Sequence, residues 1–338
     1  MFYPLSLPQI MILIGALLLF IPTMFLLLNL RKSIFGALPK PRVPADILQG
    51  GPMPTRVKEL VREFLEFISI PTNNTIQAPD LDRLTLAILG YTSSWNTSFA
   101  HLRQPNETVA FHSAAMAELS YPGHRFEVKF HIGMFTWFML YIDDCAEDMP
   151  ELLEGFQERF LARLPLQDPL LQKYAELLLR TYDHWDPLTA NSIIAAGLEY
   201  VTATTLETDE GFRTLKLDKN AGNFAYYFRR KTGVAEAYAL MLFPRQENPS
   251  RWAFLPAVAD LNLFIDLSND ILSFYKEEKA GENTNYIHIR AKCCQEYPLS
   301  VLRKTVEESI GAAKRATLTL GDSTAAAGAW RLFKQGFV

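Results

Sequence analysis

Apolar residues recur at helical spacing along most of the chain. In residues 55–68, Val57, Leu60, Val61, Phe64, Leu65 and Ile68 fall three and four positions apart, the period of a helix with one buried face. The same period predicts helices over 81–91, 107–119, 125–142, 170–182, 189–206, 223–242, 252–278 and 299–320. Residues 69–79 form a polar, proline-containing break, and Tyr121-Pro122-Gly123 interrupts the chain before the fourth helix. Convincing period-two alternation is missing, and no repeat of fixed length stands out. The pattern predicts an all-α bundle forming one large domain over 55–338.

Two stretches are too apolar for an amphipathic surface helix. Residues 133–142 (G-M-F-T-W-F-M-L-Y-I) are apolar around the whole circumference, which predicts a helix buried inside the domain. Residues 10–30 carry no charge and are long enough to span a bilayer, with Pro22 tolerable as a kink. Arg31, Lys32, Lys40 and Arg42 follow this run, while the segment before it is uncharged. The positive-inside rule then predicts a single N-terminal transmembrane helix within residues 1–36, with the following domain in the cytosol, the endoplasmic reticulum being the expected membrane. A signal peptide and a gene-model error are the competing readings, the latter leaving a soluble cytosolic protein. Residues 37–54 are rich in proline and glycine and read as a linker that cannot be continuous helix. Sequons at Asn73, Asn96 and Asn106 matter only for a lumenal domain.

The chain has 338 residues, 49% of them hydrophobic and 12% aromatic, ample for a sizeable core. A net charge of −4, with no basic stripe interleaved with aromatics, gives no reason to expect a nucleic-acid partner. Cys145, Cys293 and Cys294 make neither an even disulfide framework nor a zinc-ligand spacing. The six histidines are scattered, with no pair at metal spacing.

Candidate chemistry lies at two polar sites that emerge from apolar helices. In S-N-D-I-L-S-F-Y-K-E-E, Asn269, Ser273 and Glu277 stand at i, i+4 and i+8, one oxygen-bearing ladder on one helix face. An amide carbonyl, a hydroxyl and a carboxylate are hard ligands of the kind Mg²⁺ takes together with substrate phosphates. The second site closes the buried helix as Asp143-Asp144-Cys145-Ala146-Glu147-Asp148, with Asp143 and Glu147 one turn apart on the same face. Clustered carboxylates near the negative end of a helix dipole cost stability unless a cation neutralises them. A solvated helix face and a wet acidic turn are the alternatives.

Together the two sites resemble the metal motifs of class I terpene cyclases, D-D-C-A-E matching their aspartate-rich motif. N-D-I-L-S-F-Y-K-E matches their second metal motif in full and is especially similar to the fungal trichodiene synthase family. A third segment, Y-Y-F-R-R-K-T-G over 226–233, resembles the stretch whose first arginine senses the substrate diphosphate in that family. The resemblance runs from about Pro52 to the C-terminus, and it departs at Glu147, where many relatives have aspartate. The family's terminal Arg-Tyr pair, which contacts diphosphate on closure, has no counterpart before Val338.

What the resemblance implies is a Mg²⁺-dependent sesquiterpene synthase, a class I helical bundle that ionises farnesyl diphosphate with three Mg²⁺ ions and cyclises the cation. It places Asp143, Asp144 and Glu147 with Asn269, Ser273 and Glu277 at the metals, Asp144 and Glu147 acting through water or by organising the motif. It places Arg229 and Lys276 at the diphosphate, and Gly233 at a helix break facing the allylic cation. A homodimer is common in such relatives. A membrane-tethered relative that binds isoprenoid diphosphate without turnover is the alternative, and a chain-elongating prenyltransferase, which normally carries two aspartate-rich motifs, a more distant one.

Overall fold

A computed structural model of the chain describes residues 53–68, 78–95, 97–248, 250–281, 284–322 and 324–337. Among the described residues every regular element is helical, as the apolar periodicity predicts. In chain order the α-helices are α1 (Met53–Ile68), α2 (Leu81–Ser93), α3 (Asn106–Ser120), α4 (Phe126–Cys145), α5 (Pro150–Glu154), α6 (Phe156–Ala162), α7 (Pro169–Arg180) and α8 (Pro187–Thr208). They continue as α9 (Glu210–Arg213), α10 (Phe224–Thr232), α11 (Ala235–Met241), α12 (Val258–Ala280), α13 (Tyr286–Cys294), α14 (Pro298–Leu320) and α15 (Ala325–Phe337).

α12 is the central staff of one half of the bundle, running along α14 and α11 and touching α1, α10 and α13. α4 is central to the other half, flanked by α2, α3, α7 and α8. α8 joins the halves, packing on α4, α10 and α11. From His131 to Cys145 every residue of α4 is buried, which is why its sequence is apolar all round. α7 and α8 each open with a proline preceded by an aspartate cap: Asp168 accepts from the Leu171 N–H at 2.7 Å and Asp186 from that of Leu188 at 3.2 Å.

Three expectations about elements need correction. The segment 223–242, continuous by its period, is two helices, broken at Gly233, where the resemblance places a break, and at Val234, which has φ of 51°. The segment 252–278 starts as two 3₁₀ turns, Arg251–Ala253 and Leu255–Ala257, because Pro256 cannot sit in a continuous helix interior. The acidic-motif helix ends at Cys145, so Glu147 stands in the turn beyond it and not one helical turn above Asp143. The short α5 and α6 and the terminal α15 are not among the predicted helices. α1 begins at Met53, inside the end of the expected linker, with Pro54 in the first turn where its missing N–H is not needed. The membrane helix expected over 10–30 lies outside the described residues, among which no helix is long and apolar enough to cross a membrane.

Candidate active site

The oxygen ladder of α12 is buried. Asn269 is 7% exposed, Ser273 0% and Glu277 3%, so the wet-face alternative does not apply. Each rung has a different environment. The Asn269 Oδ1 accepts from Arg229 Nη2 at 2.9 Å, and Glu277 Oε2 accepts from the Asn285 amide at 2.7 Å. The Ser273 hydroxyl, one turn from each, has no hydrogen-bond partner. A buried hydroxyl left unsatisfied costs about 1–3 kcal/mol, and such an orphan between two oxygen-bearing rungs fits a ligand that supplies the missing contact. Lys276 is half-buried on the same stretch of helix.

Arg229 reaches this ladder from α10. Its Nε donates to both oxygens of Asp270 at 2.8 and 3.0 Å, and its Nη2 also donates to the Asp266 carbonyl at 3.2 Å. Its Nη1 lies 3.4 Å from Asp266 Oδ1. Neither Asp266 oxygen has a hydrogen-bond partner, nor has that Nη1. Burial pushes the Asp266 carboxyl up to about 7 against the pull of Arg229, and that of Asp270 up to about 6 in the same way.

The ion pairs explain Gly233. A Cβ at that position would overlap Asp266 Oδ1 and Arg229 Nη1. Glycine is required there by space, because its own φ of −87° suits any residue. The strain falls instead on Val234, a β-branched residue held in the left-handed region.

The second acidic site closes α4. Asp143 and Asp144 are both buried. Burial, then the neighbouring Asp144 and Glu207, push the Asp143 carboxyl well above the usual range. Asp144 is pushed up to about 6, chiefly by burial and opposed by the Arg103 N–H, which donates to its Oδ2 at 2.9 Å. Glu147 is engaged by two arginines, Arg213 at 2.9 Å and Arg103 at 3.5 Å.

Glu207, in the last turn of α8, connects the two sites. It is near enough to Asp143 to perturb that carboxyl, and it lines a small cavity of about 30 Å³ with Arg229, Asp270 and Glu277. Thus Arg229, Gly233, Asn269, Ser273 and Glu277 form one constellation, with Asp143 and Asp144 across Glu207 from it. Glu147 instead faces arginines. Among the described residues no three His, Cys, Asp or Glu side chains come together as a metal cage. The fit to a divalent cation rests on the orphaned Ser273 hydroxyl and on carboxyls whose charge burial opposes. Sequence reasoning missed Asp266, Asp270, Glu207, Arg103 and Arg213. Asp266 and Asp270 could have been found, as carboxylates at i−3 and i+1 of Asn269 in an otherwise apolar helix; the others come from segments distant in sequence.

Known proteins share the family and the fold. The family described as Trichodiene synthase (TRI5) matches residues 108–333. Terpene synthase BipA of Cochliobolus sativus is 40% identical over 220 residues, 64% of this chain and 67% of its own. Monoterpene synthase 25 of Postia placenta is 30% identical over 287 residues, covering 84% of this chain and 83% of its own. Among solved structures, the T181N variant of cucumene synthase superposes with a TM-score of 0.50 at 15% identity, over 77% of this chain and 93% of its own, a likeness of fold.

Proposed function

The chain belongs to the trichodiene synthase family and is a terpene synthase, and from that premise we propose that it ionises farnesyl diphosphate in a Mg²⁺-dependent reaction and closes the carbocation to a cyclic sesquiterpene. The observation that carries the proposal is the buried Ser273 hydroxyl without a partner, set between Asn269 and Glu277 on α12 and beside Arg229. Asn269, Ser273 and Glu277 would hold Mg²⁺ on one side and Asp143 on the other, with three ions expected. Bound there, Mg²⁺ supplies Lewis-acid neutralisation of the leaving diphosphate.

The remaining work falls to the chain's own groups. Arg229 and Lys276 donate hydrogen bonds to diphosphate oxygens, the arginine through its unpartnered Nη1 and the lysine as a point charge. As the allylic C–O bond breaks, its electron pair leaves with the diphosphate, and these cations stabilise the growing negative charge. Gly233 lets Arg229 and Asp266 approach the break between α10 and α11, where the backbone carbonyl faces the allylic cation. Asp144 and Glu147, tied to Arg103 and Arg213, organise the acidic motif. Burial of the polar cluster excludes water that would quench the cation. The tether through residues 10–30 is a proposal of the same kind, on residues outside the described part.

The test is incubation of the purified full chain with farnesyl diphosphate or geranyl diphosphate, with and without Mg²⁺, reading released diphosphate and volatile hydrocarbons. We expect a cyclic fifteen-carbon product that needs Mg²⁺, and a loss of at least about a hundredfold in kcat/KM on Ser273→Ala or Arg229→Ala. Turnover of geranyl diphosphate alone would replace the substrate. A folded protein that binds diphosphate but releases no product would sink the synthase reading.

A further inference from the structure

Two neighbouring residues in the segment after α8 hold opposite sides of the site. Asp209 caps the short α9, its Oδ1 accepting from the Phe212 N–H at 3.1 Å. Phe212 packs its ring on Phe228, with centroids 4.4 Å apart, and Phe228 immediately precedes Arg229 on α10. The next residue, Arg213, turns the other way. Its Nη2 donates to Glu147 Oε1 at 2.9 Å, and its Nε to the Glu207 carbonyl at 3.1 Å. One residue therefore grips the helix bearing the diphosphate arginine, and the next grips the acidic motif.

We propose that residues 209–213 are a strap that sets the distance between the two halves of the site, and that Arg213 is a positioning residue acting through Glu147. The proposal rests on the synthase reading above. Glu147 has both oxygens committed, one to Arg213 and the other to Arg103. Its charge is spent on holding the turn that follows Asp143 and Asp144. The length of the glutamate matters, because its carboxylate must span from that turn to α9; an aspartate would keep the charge and fall one methylene short. Arg213 has two fixed anchors, a backbone carbonyl and a carboxylate, so its guanidinium is pinned in a way that an isolated surface pair is not.

The strap is exposed enough to change without disturbing the core: the Arg213 side chain is 36% exposed and that of Glu147 25%. The experiment compares wild type, Arg213→Ala, Glu147→Gln, the double variant, Arg213→Lys and Glu147→Asp. Each is titrated with Mg²⁺ in the presence of inorganic pyrophosphate, following the shift in melting temperature, and each is assayed for kcat and KM with farnesyl diphosphate.

We expect Arg213→Ala and Glu147→Gln each to raise the Mg²⁺ needed for half-maximal stabilisation by about tenfold, with the double variant no worse than either alone. Arg213→Lys should recover most of the loss, whereas Glu147→Asp should behave like Arg213→Ala. Added salt should narrow the gap between the wild type and Arg213→Ala, because it screens the pair. Arg213→Ala indistinguishable from wild type overturns the strap. So does a Glu147→Gln loss far deeper than that of Arg213→Ala and additive with it, which would make Glu147 a direct ligand. A folded wild type that neither responds to Mg²⁺ with pyrophosphate nor turns over substrate removes the synthase reading, and the strap with it.

Discussion

Asp266 is a fully buried carboxylate whose side chain has no hydrogen bond and lies 3.4 Å from Arg229. Its carboxyl is pushed up to about 7 by burial, whereas in an unfolded chain an aspartate titrates near ~3.9. Between those values the folded protein keeps a proton that the unfolded chain has shed, so this group makes stability fall as pH rises from about 4 to 7. Asp266→Asn keeps the shape and removes the cost of ionisation. We expect the variant to be more stable than wild type at pH 8 by on the order of 1–3 kcal/mol, the gap closing as pH falls toward 4. Denaturant melts at several pH values read this directly; a gap independent of pH, or of opposite slope, would reject it. At this scale the sequence revealed the chemistry on one helix face better than the chemistry between helices. The Asn269–Ser273–Glu277 ladder was legible because its spacing lies on a single helix, whereas Arg229 and Gly233 came from the family resemblance. Asp266 is the reason for Gly233, and that relation exists only once α10 meets α12.

Among elements, α15 is a helix missing from those predicted, although its apolar spacing carries it. Its apolar residues Trp330, Phe333 and Phe337 stand three and four positions apart and are buried, with Phe333 against Tyr121 at 5.2 Å. Gly336 is there for close approach: a Cβ would strike the Leu119 carbonyl at the end of α3. Gly336→Ala is therefore expected to cost about 1–3 kcal/mol. Hydrogen exchange should quicken across residues 325–337 while the amides of α12 stay protected, and equal deprotection of both helices would contradict it. Other helices are legible directly from their period. Residues 55–68 and 299–320 keep one apolar face, and the structure returns them as α1 and α14 nearly to the residue. The predicted helix over 223–242 kept its period straight through the break, because that break serves packing against Asp266 and leaves no periodic trace.

At the scale of the whole molecule, the two helical halves meet through buried carboxyls that outnumber their arginines. Asp143, Asp144, Asp266 and Asp270 all have raised pKa values, so the protein without cations gains strain from its own charge as pH rises. A divalent cation that binds only the folded form should offset this. At a hundredfold excess over Kd the gain is about 2.7 kcal/mol. We expect Mg²⁺ to raise the melting temperature more at pH 8 than at pH 6, because its ligands must be ionised. Calorimetry with Mg²⁺ or with EDTA checks this, and a Mg²⁺ effect equal at both pH values would argue against binding through these carboxyls. The ladder on α12 has one more consequence, which concerns descent. Its three rungs sit on one unbroken helix, so their spacing is a fixed ruler and no neighbour, turned about 100° away, can take the place of a lost rung. If the ladder holds the proposed metal, that capacity is inherited as a block or lost in a single step.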